Sequence, residues 1–369
     1  MLALRLARGA HPLVLLRRLM VAAASAGVGF LLLCTLMYAL SHPEDSAAVV
    51  RLLWCGLPLA TTVYLAVTVA RTDPGTRPRP GLFAVGLGPF RLCALAAAST
   101  ALTCTLGSMV ALLFFLHLRG DLSGLPFDGA AAGMLAAEQP LPLPATLTLL
   151  ALVPLLATVA TAVVLRPRAA APDAEESSGT PGGLPWGITL VALGLAVETY
   201  TSDGRADDRP AGVLAGWALT AVGLWLVGPG VTHLCGRLLQ SVRPGATRLL
   251  AGRILMAESR RLGPPLGVMC AVASGAVTAT AAYGSAPQPW SPLTTLGATL
   301  VVVCTATTLL TTAIEVRGAR SEATTALRIV GAPATILRRA AALRAGVLVT
   351  VFVPLTLTVG ALAAAPLTR

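Results

Sequence analysis

Long apolar runs fill the chain, broken by short polar or arginine-bearing segments. A membrane-spanning helix needs about 20 mostly apolar residues. Nine runs approach or exceed that length: Leu19–Leu40, Leu52–Ala70, Leu92–Leu118, Leu143–Leu165, Leu184–Tyr200, Ala211–Val231, Pro264–Tyr283, Pro292–Ile314 and Ala345–Ala365. The fifth is the shortest and contains Glu198 near its end. Pro58, Pro154 and Pro354 fall inside spans, where neighbouring helices can re-satisfy freed carbonyls, and they predict kinks. The pattern predicts an all-α polytopic membrane protein of about nine transmembrane helices.

Composition narrows the reading. Of 369 residues, 55% are hydrophobic and only 12% charged, against about a quarter charged in soluble domains. This excludes an ordinary cytosolic enzyme, and the apolar content excludes a disordered chain. All 27 basic residues are arginine. Without lysine the chain has no P-loop of its own and no Schiff-base nucleophile. It is therefore expected not to be an enzyme by itself and to bind no cofactor. The arginine bias points to a GC-rich bacterial genome and hence to a bacterial plasma membrane.

Arginine placement sets the expected orientation. With the amino terminus cytoplasmic, 22 arginines face inward and five face outward: Arg51, Arg119, Arg205, Arg209 and Arg369. Nine spans would then leave the carboxyl terminus outside. The net charge of +11 is read as topological, facing anionic lipid headgroups and not nucleic acid. The first apolar run is too long for a signal-peptide core and no A-x-A site follows it, so it is expected to be a retained anchor.

Two stretches repeat an order of features. Arg17-Arg18-Leu19 precedes the first span and Arg260-Arg261-Leu262 the seventh. Each leads through a helix, a short turn (about 41–47 and 284–291) and a returning helix to an arginine-rich inner segment. The first segment carries L-F-A-V-G-L-G-P, Leu82 to Pro89, and the second L-R-I-V-G-A-P, Leu327 to Pro333. Arg17 to Gly86 is 69 residues and Arg260 to Gly331 is 71. Parallel repeats of this kind are common in transporters. The expected organisation is a four-helix unit over 1–165, a cytoplasmic Pro/Gly/Ser-rich linker over 166–184, a two-helix connector over 185–232, and a three-helix unit over 233–369.

In the second inner segment, Ala323, Ala326, Leu327 and Val330 fall at i, i+3, i+4 and i+7, one face of a helix. Gly331 stands where a helix ends in the left-handed conformation, and Pro333 can open the next. The spacing predicts a short amphipathic helix, a sharp break, and a helix running into the ninth span, with Arg338, Arg339 and Arg344 near its start. Such a helix suits either a push from a soluble partner or simple anchoring at the interface.

The run Glu322 to Pro333 resembles the signature loop of FtsX-like ABC transporter permeases, roughly R-x-E-x-A-x-L-R-x-x-G-A. Arg320, Glu322, Leu327, Arg328, Gly331 and Ala332 match it, with one extra residue between Glu322 and Arg328. The resemblance implies two FtsX-like repeat units and a permease that couples to a separate cytoplasmic ABC ATPase. Its work would be export or extraction of a lipophilic or peptide-like substrate. ATP and magnesium would be held by that partner. Arg320, Glu322, Leu327, Arg328, Gly331, Ala332, Arg338 and Arg339 would form the coupling loop. Leu82, Val85, Gly86 and Arg91 would form a weaker first-copy loop, because Pro78, Pro80 and Gly81 leave little helix there. Membrane lipid, and a homodimer or heterodimer of permeases, are further expected partners. The outer turns are too short for the large extracytoplasmic domain many members carry. A complete second unit would have a tenth span, for which truncation or donation by a partner would account.

Other chemistry is sparse. Glu198 reads as an interfacial carboxylate or as a substrate or proton site. Glu258 can pair with Arg261 at i+3. His11, His42, His117 and His233 stand singly at span ends, and the seven cysteines lack a C-x-x-C spacing and lie mostly within spans, as small buried residues do. Glycines around 107–111 and 267–275 fit helix packing. A non-transporting membrane scaffold of the same fold competes with the permease reading. An ion- or proton-driven carrier is disfavoured by the scarcity of intramembrane charge.

Overall fold

A computed structural model describes residues 12–44, 47–73, 88–122, 129–133, 135, 138–166, 182–202, 210–241, 245–283, 291–329, 331 and 333–366. Ten helices account for nearly all of them: α1 (Pro12–Ser41), α2 (Ala47–Thr72), α3 (Pro89–Arg119), α4 (Leu143–Leu165), α5 (Leu184–Ser202), α6 (Pro210–Ser241), α7 (Ala246–Tyr283), α8 (Pro292–Ala319), α9 (Ser321–Ile329) and α10 (Ala334–Ala364). No strand occurs among the described residues. Helix is what an apolar environment demands, because each backbone N–H and C=O then finds its partner within the segment. All nine expected runs are helical. Eight of these helices are long and apolar enough to cross a membrane. The fifth, α5, is a 19-residue helix outside that group, its apolar run diluted by Trp186, Glu198 and Tyr200.

Packing divides the described helices into two compact units. The first holds α1 to α4 with α8 as far as Thr308; the second holds α5 to α7, the remainder of α8 from Leu309, α9 and α10. The boundaries expected from chain order placed α5 and α6 in a separate connector, yet both pack within the second unit.

In the first unit α1 is the spine. It contacts α2, α3 and α4 and buries Val28, Leu31, Leu32 and Leu33 almost completely. Its closest crossing is with α3. A Cβ on Gly107 would lie 2.3 Å from the Ala22 carbonyl oxygen and 2.8 Å from Ser25 Cβ, so only glycine allows the two backbones to approach this far. Ser25 Oγ donates to the Cys104 carbonyl at 2.8 Å across the same crossing. The first part of α8 also joins this unit: Leu300 meets Gly27 and the Trp54 ring covers Gly297.

In the second unit α7 is the spine, flanked by α6 and α10. α6 and α7 pack antiparallel along a seam of glycines. A Cβ on Gly228 would lie 2.1 Å from the Gly263 carbonyl, and one on Gly267 would lie 2.3 Å from that of Leu224. This tight seam, together with the matching seam of α5 on α6 at Gly187, Gly194, Gly216 and Gly223, holds α5 and α6 against α7. At 38 residues, α7 is about 57 Å long, far more than a hydrocarbon core of about 30 Å. The excess is the segment before Pro264, which runs beside the last turns of α6 through Gly236, Gly252 and Met256. On the other flank α10 crosses α7 at Gly360, against Val277 and the Ser274 carbonyl. Cys270 Sγ reaches the Phe352 carbonyl at 3.8 Å and Thr278 Oγ1 donates to the Gly360 carbonyl at 3.2 Å.

Candidate functional site

The end of α8, the turn at Arg320, α9 and the start of α10 follow the expected helix–break–helix order. Ser321 Oγ donates to the Gly318 carbonyl at 2.7 Å and Thr325 Oγ1 to the Ser321 carbonyl at 2.7 Å, which stitches the turn to the first turn of α9. By pattern α9 is the most amphipathic of the ten helices. It ends at Ile329, so Val330 of the expected face falls beyond it and outside the described residues. Ala326 is exposed and Ile329 is 82% exposed. Gly331 takes φ +95°, the left-handed region where a β-carbon is strained, and no atom stands within 4 Å of where its Cβ would be. Backbone conformation, not space, therefore requires glycine there. Pro333, at φ −68° and ψ 140°, caps α10, one position earlier than its expected place inside that helix.

The matched residues fare differently. Arg320 is half-buried, and Arg338 and Arg339 are exposed on the first turns of α10. Glu322, Leu327 and Arg328 lie on α9, but their side chains, like all of Ala332, lie outside the described residues. Leu82, Val85 and Gly86 of the first-copy loop are also outside them, while Arg91 is exposed in the first turn of α3.

One contact was not legible beforehand. Glu258 does not pair with Arg261 on its own helix. Arg320 Nε and Nη2 instead reach both carboxylate oxygens of Glu258, a two-point pairing that suits the planar guanidinium. Arg260 and Arg261 are exposed. The contact ties the turn after α8 to the part of α7 that precedes Pro264. Arg344 of α10 stands close by: burial first, and the Arg344 charge second, pull the Arg320 pKa down to about 10. Arg320 thus remains a cation throughout the neutral range. Arg344 Nε turns back to its own Ala340 carbonyl at 3.3 Å, and its buried Nη1 has no partner among the described residues.

The first unit holds a counterpart. Arg18 of α1 pairs with Asp73, the residue after α2, at 2.5 Å. The pair borders a shallow cleft shared with Ser99, Thr100 and Thr103 of α3. The signal for it was present, since Arg18 belongs to the repeated Arg-Arg-Leu and Asp73 is the first acid after the second span.

Elsewhere, the seven cysteines are buried. His233 is also buried within α6, unlike the span-end position expected of it. Arg119 is 5% exposed; it holds the connection between α3 and α4 through Asp121 at 3.2 Å and the Gln139 carbonyl. Among the described residues no group of histidine, cysteine and acidic side chains could hold a metal ion. Comparison with family models, with curated proteins and with solved structures finds no match.

Proposed function

We propose that this chain is the membrane subunit of an FtsX-like ABC transporter in a bacterial plasma membrane, with its amino terminus in the cytoplasm. A separate ATPase, holding ATP and magnesium, grips the α9–Gly331 turn and moves it. The observation that carries the reading is the bidentate contact between Arg320 and Glu258. A force applied to α9 reaches the turn at Arg320 directly and passes through that contact to α7, the spine of its unit. An interfacial helix that only anchors a loop has no need of such a tie. The exposed Ala326 and Ile329 supply apolar surface for a docking partner, and Arg338 and Arg339 supply charge beside it. The substrate is lipophilic or peptide-like, and lipid and a second permease subunit are the remaining partners.

The test is co-purification of the chain with an ATPase from the same organism. Ala326→Pro breaks α9 by removing a hydrogen bond and clashing with the preceding turn, and should abolish association while leaving the amount of protein in the membrane unchanged. Association that survives the substitution would overturn the assignment. Reconstituted vesicles separate the scaffold reading, which predicts no ATP-dependent movement of substrate.

A further inference from the structure

Glu198 is an acid among apolar neighbours. It lies in the last turns of α5, is 5% exposed, and neither carboxylate oxygen has a hydrogen-bond partner among the described residues. Its Cγ faces Gly216 of α6, where an added Cβ would lie 2.7 Å away. The nearby hydroxyls are already engaged. Thr201 Oγ1 donates to the Val197 carbonyl at 2.8 Å and Thr220 Oγ1 to the Gly216 carbonyl at 3.1 Å.

No counter-charge is at hand on the packed helices. On α6, residues 212–220 include no titratable group, and His233, Cys235 and Arg237 lie more than three turns further on. On α10, which also touches α5, the charged residues Arg338, Arg339 and Arg344 all sit in its first half. On α5 itself Tyr200 is 78% exposed. Asp203, Arg205, Asp207, Asp208 and Arg209, in the connection to α6, lie outside the described residues. An ionised carboxylate sealed against glycine without a partner is strongly disfavoured, whereas the neutral acid avoids most of that penalty.

We propose that Glu198 is a proton-binding site: a carboxylic acid that keeps its proton at neutral pH while α5 lies against α6, and releases it only when the side chain reaches water. The ligand is the proton itself. Because the carboxyl group is wedged at the glycine seam, release and loosening of the α5–α6 seam are one event. The site is single, with no second acid or base beside it among the described residues to form a relay, and it stands independently of the transporter reading.

Dicyclohexylcarbodiimide tests this on the full-length protein in detergent. The acid adds across one C=N bond: its proton goes to nitrogen, its oxygen bonds the central carbon, and the adduct rearranges to an N-acylurea with nothing lost. Peptide mass spectrometry should find Glu198 labelled at about pH 6. Labelling should fall about tenfold per pH unit above the value at which the proton is released. Glu198→Gln should remove the label. Labelling only by a water-soluble carbodiimide with an added amine would show an exposed, ionised carboxylate and overturn the proposal. So would no labelling by the apolar reagent at any pH, the outcome if Arg205 or Arg209 pairs with Glu198. Thermal unfolding gives a second reading, because Glu198→Gln keeps the shape of the neutral acid. Its midpoint should match the wild type at about pH 4, where the unfolded chain also keeps the proton, and exceed it at about pH 9; coincident midpoints at both would also overturn the proposal.

Discussion

The two units fasten the same two points with opposite charges. In the first, a base on the opening helix (Arg18) holds an acid placed directly after the returning helix (Asp73). In the second, an acid on the opening helix (Glu258) holds a base directly after the returning helix (Arg320). The third helix contributes to both sites at an equivalent place. Ser99 lies 13 residues past Gly86 and Arg344 lies 13 past Gly331; Ser99 lines a cleft in one unit, and Arg344 acts on Arg320 in the other. The opening and third helices are also crosslinked at similar chain separations, 79 residues for Ser25–Cys104 and 82 for Cys270–Phe352. What repeats is a geometry, helix start tied to turn, and not a set of residues. The second tie is the more buried one, and it leads into an amphipathic helix.

The largest effect should come from breaking that tie. The side chains of Arg320 and Glu258 are 24% and 12% exposed, so Glu258→Ala leaves a mostly buried guanidinium facing Arg344 with no counter-charge. A loss of about 2–3 kcal/mol is expected, read as a lower unfolding midpoint in detergent. Glu258→Arg alone should be worse. The exchange Glu258→Arg with Arg320→Glu recreates the polarity of the first unit and should recover most of the loss. If the double variant is as unstable as the sum of its parts, the ties are not equivalent and the comparison fails.

Next in size are the glycine crossings between opening and third helices. Gly107→Ala drives a methyl group against the Ala22 backbone carbonyl, which cannot move without shifting α1, and should cost about 2 kcal/mol. Gly360→Ala meets chiefly the Val277 side chain, at 2.9 and 3.0 Å, with the Ser274 carbonyl at 3.1 Å. These overlaps are shallower than the 2.3 Å approach at Gly107, and alanine gains helix propensity of up to about 1 kcal/mol over glycine, which offsets part of the cost. A net change under about 1 kcal/mol is expected, again from unfolding midpoints. Equal costs would mean that the two crossings are packed alike.

These contrasts show where reading the residues succeeded. Span positions were legible because about 20 apolar residues in a row have few alternatives to helix, and the break at Gly331 was legible because glycine followed by proline leaves the backbone little choice. The glycines at 107 and 267 were recognisable as packing residues for the same local reason. Partners across space were not legible. Glu258 had an arginine three residues away on its own helix, and only the tertiary fold shows that Arg261 faces outward while Arg320 arrives from 62 residues on. The packing of α6 on α7 was not legible either, since the glycine seam joining them depends on which faces meet. Glu198 stands out in the sequence as an acid in an apolar run, but its burial follows from Gly216, which only the pairing of the helices brings to it.

A smaller effect separates the first tie from the second. The Arg18 side chain is 44% exposed, so water and salt screen its attraction to Asp73. Arg18→Ala should cost less than about 1 kcal/mol, and the cost should shrink as ionic strength rises towards about 1 M. The Glu258–Arg320 tie, shielded from solvent, should respond much less to salt. A salt titration of the two single variants measures the difference directly; equal salt slopes would remove the asymmetry on which the comparison turns.

The smallest effect has the opposite sign. Arg344 is half-buried, adds a like charge beside Arg320, and leaves Nη1 without a partner among the described residues. Nothing in that arrangement favours the isolated fold. Arg344→Gln removes the repulsion, keeps much of the stem, and imitates the uncharged Ser99 of the first unit. It should raise the unfolding midpoint slightly, by no more than about 0.5–1 kcal/mol. If the same variant also lowers ATPase association, then the fold tolerates a mildly destabilising charge at this position for the sake of the partner, and the two units differ by task as well as by sequence. A fall in stability without any change in association would instead make Arg344 a structural member of the tie, and the resemblance to Ser99 would end at its position along the helix.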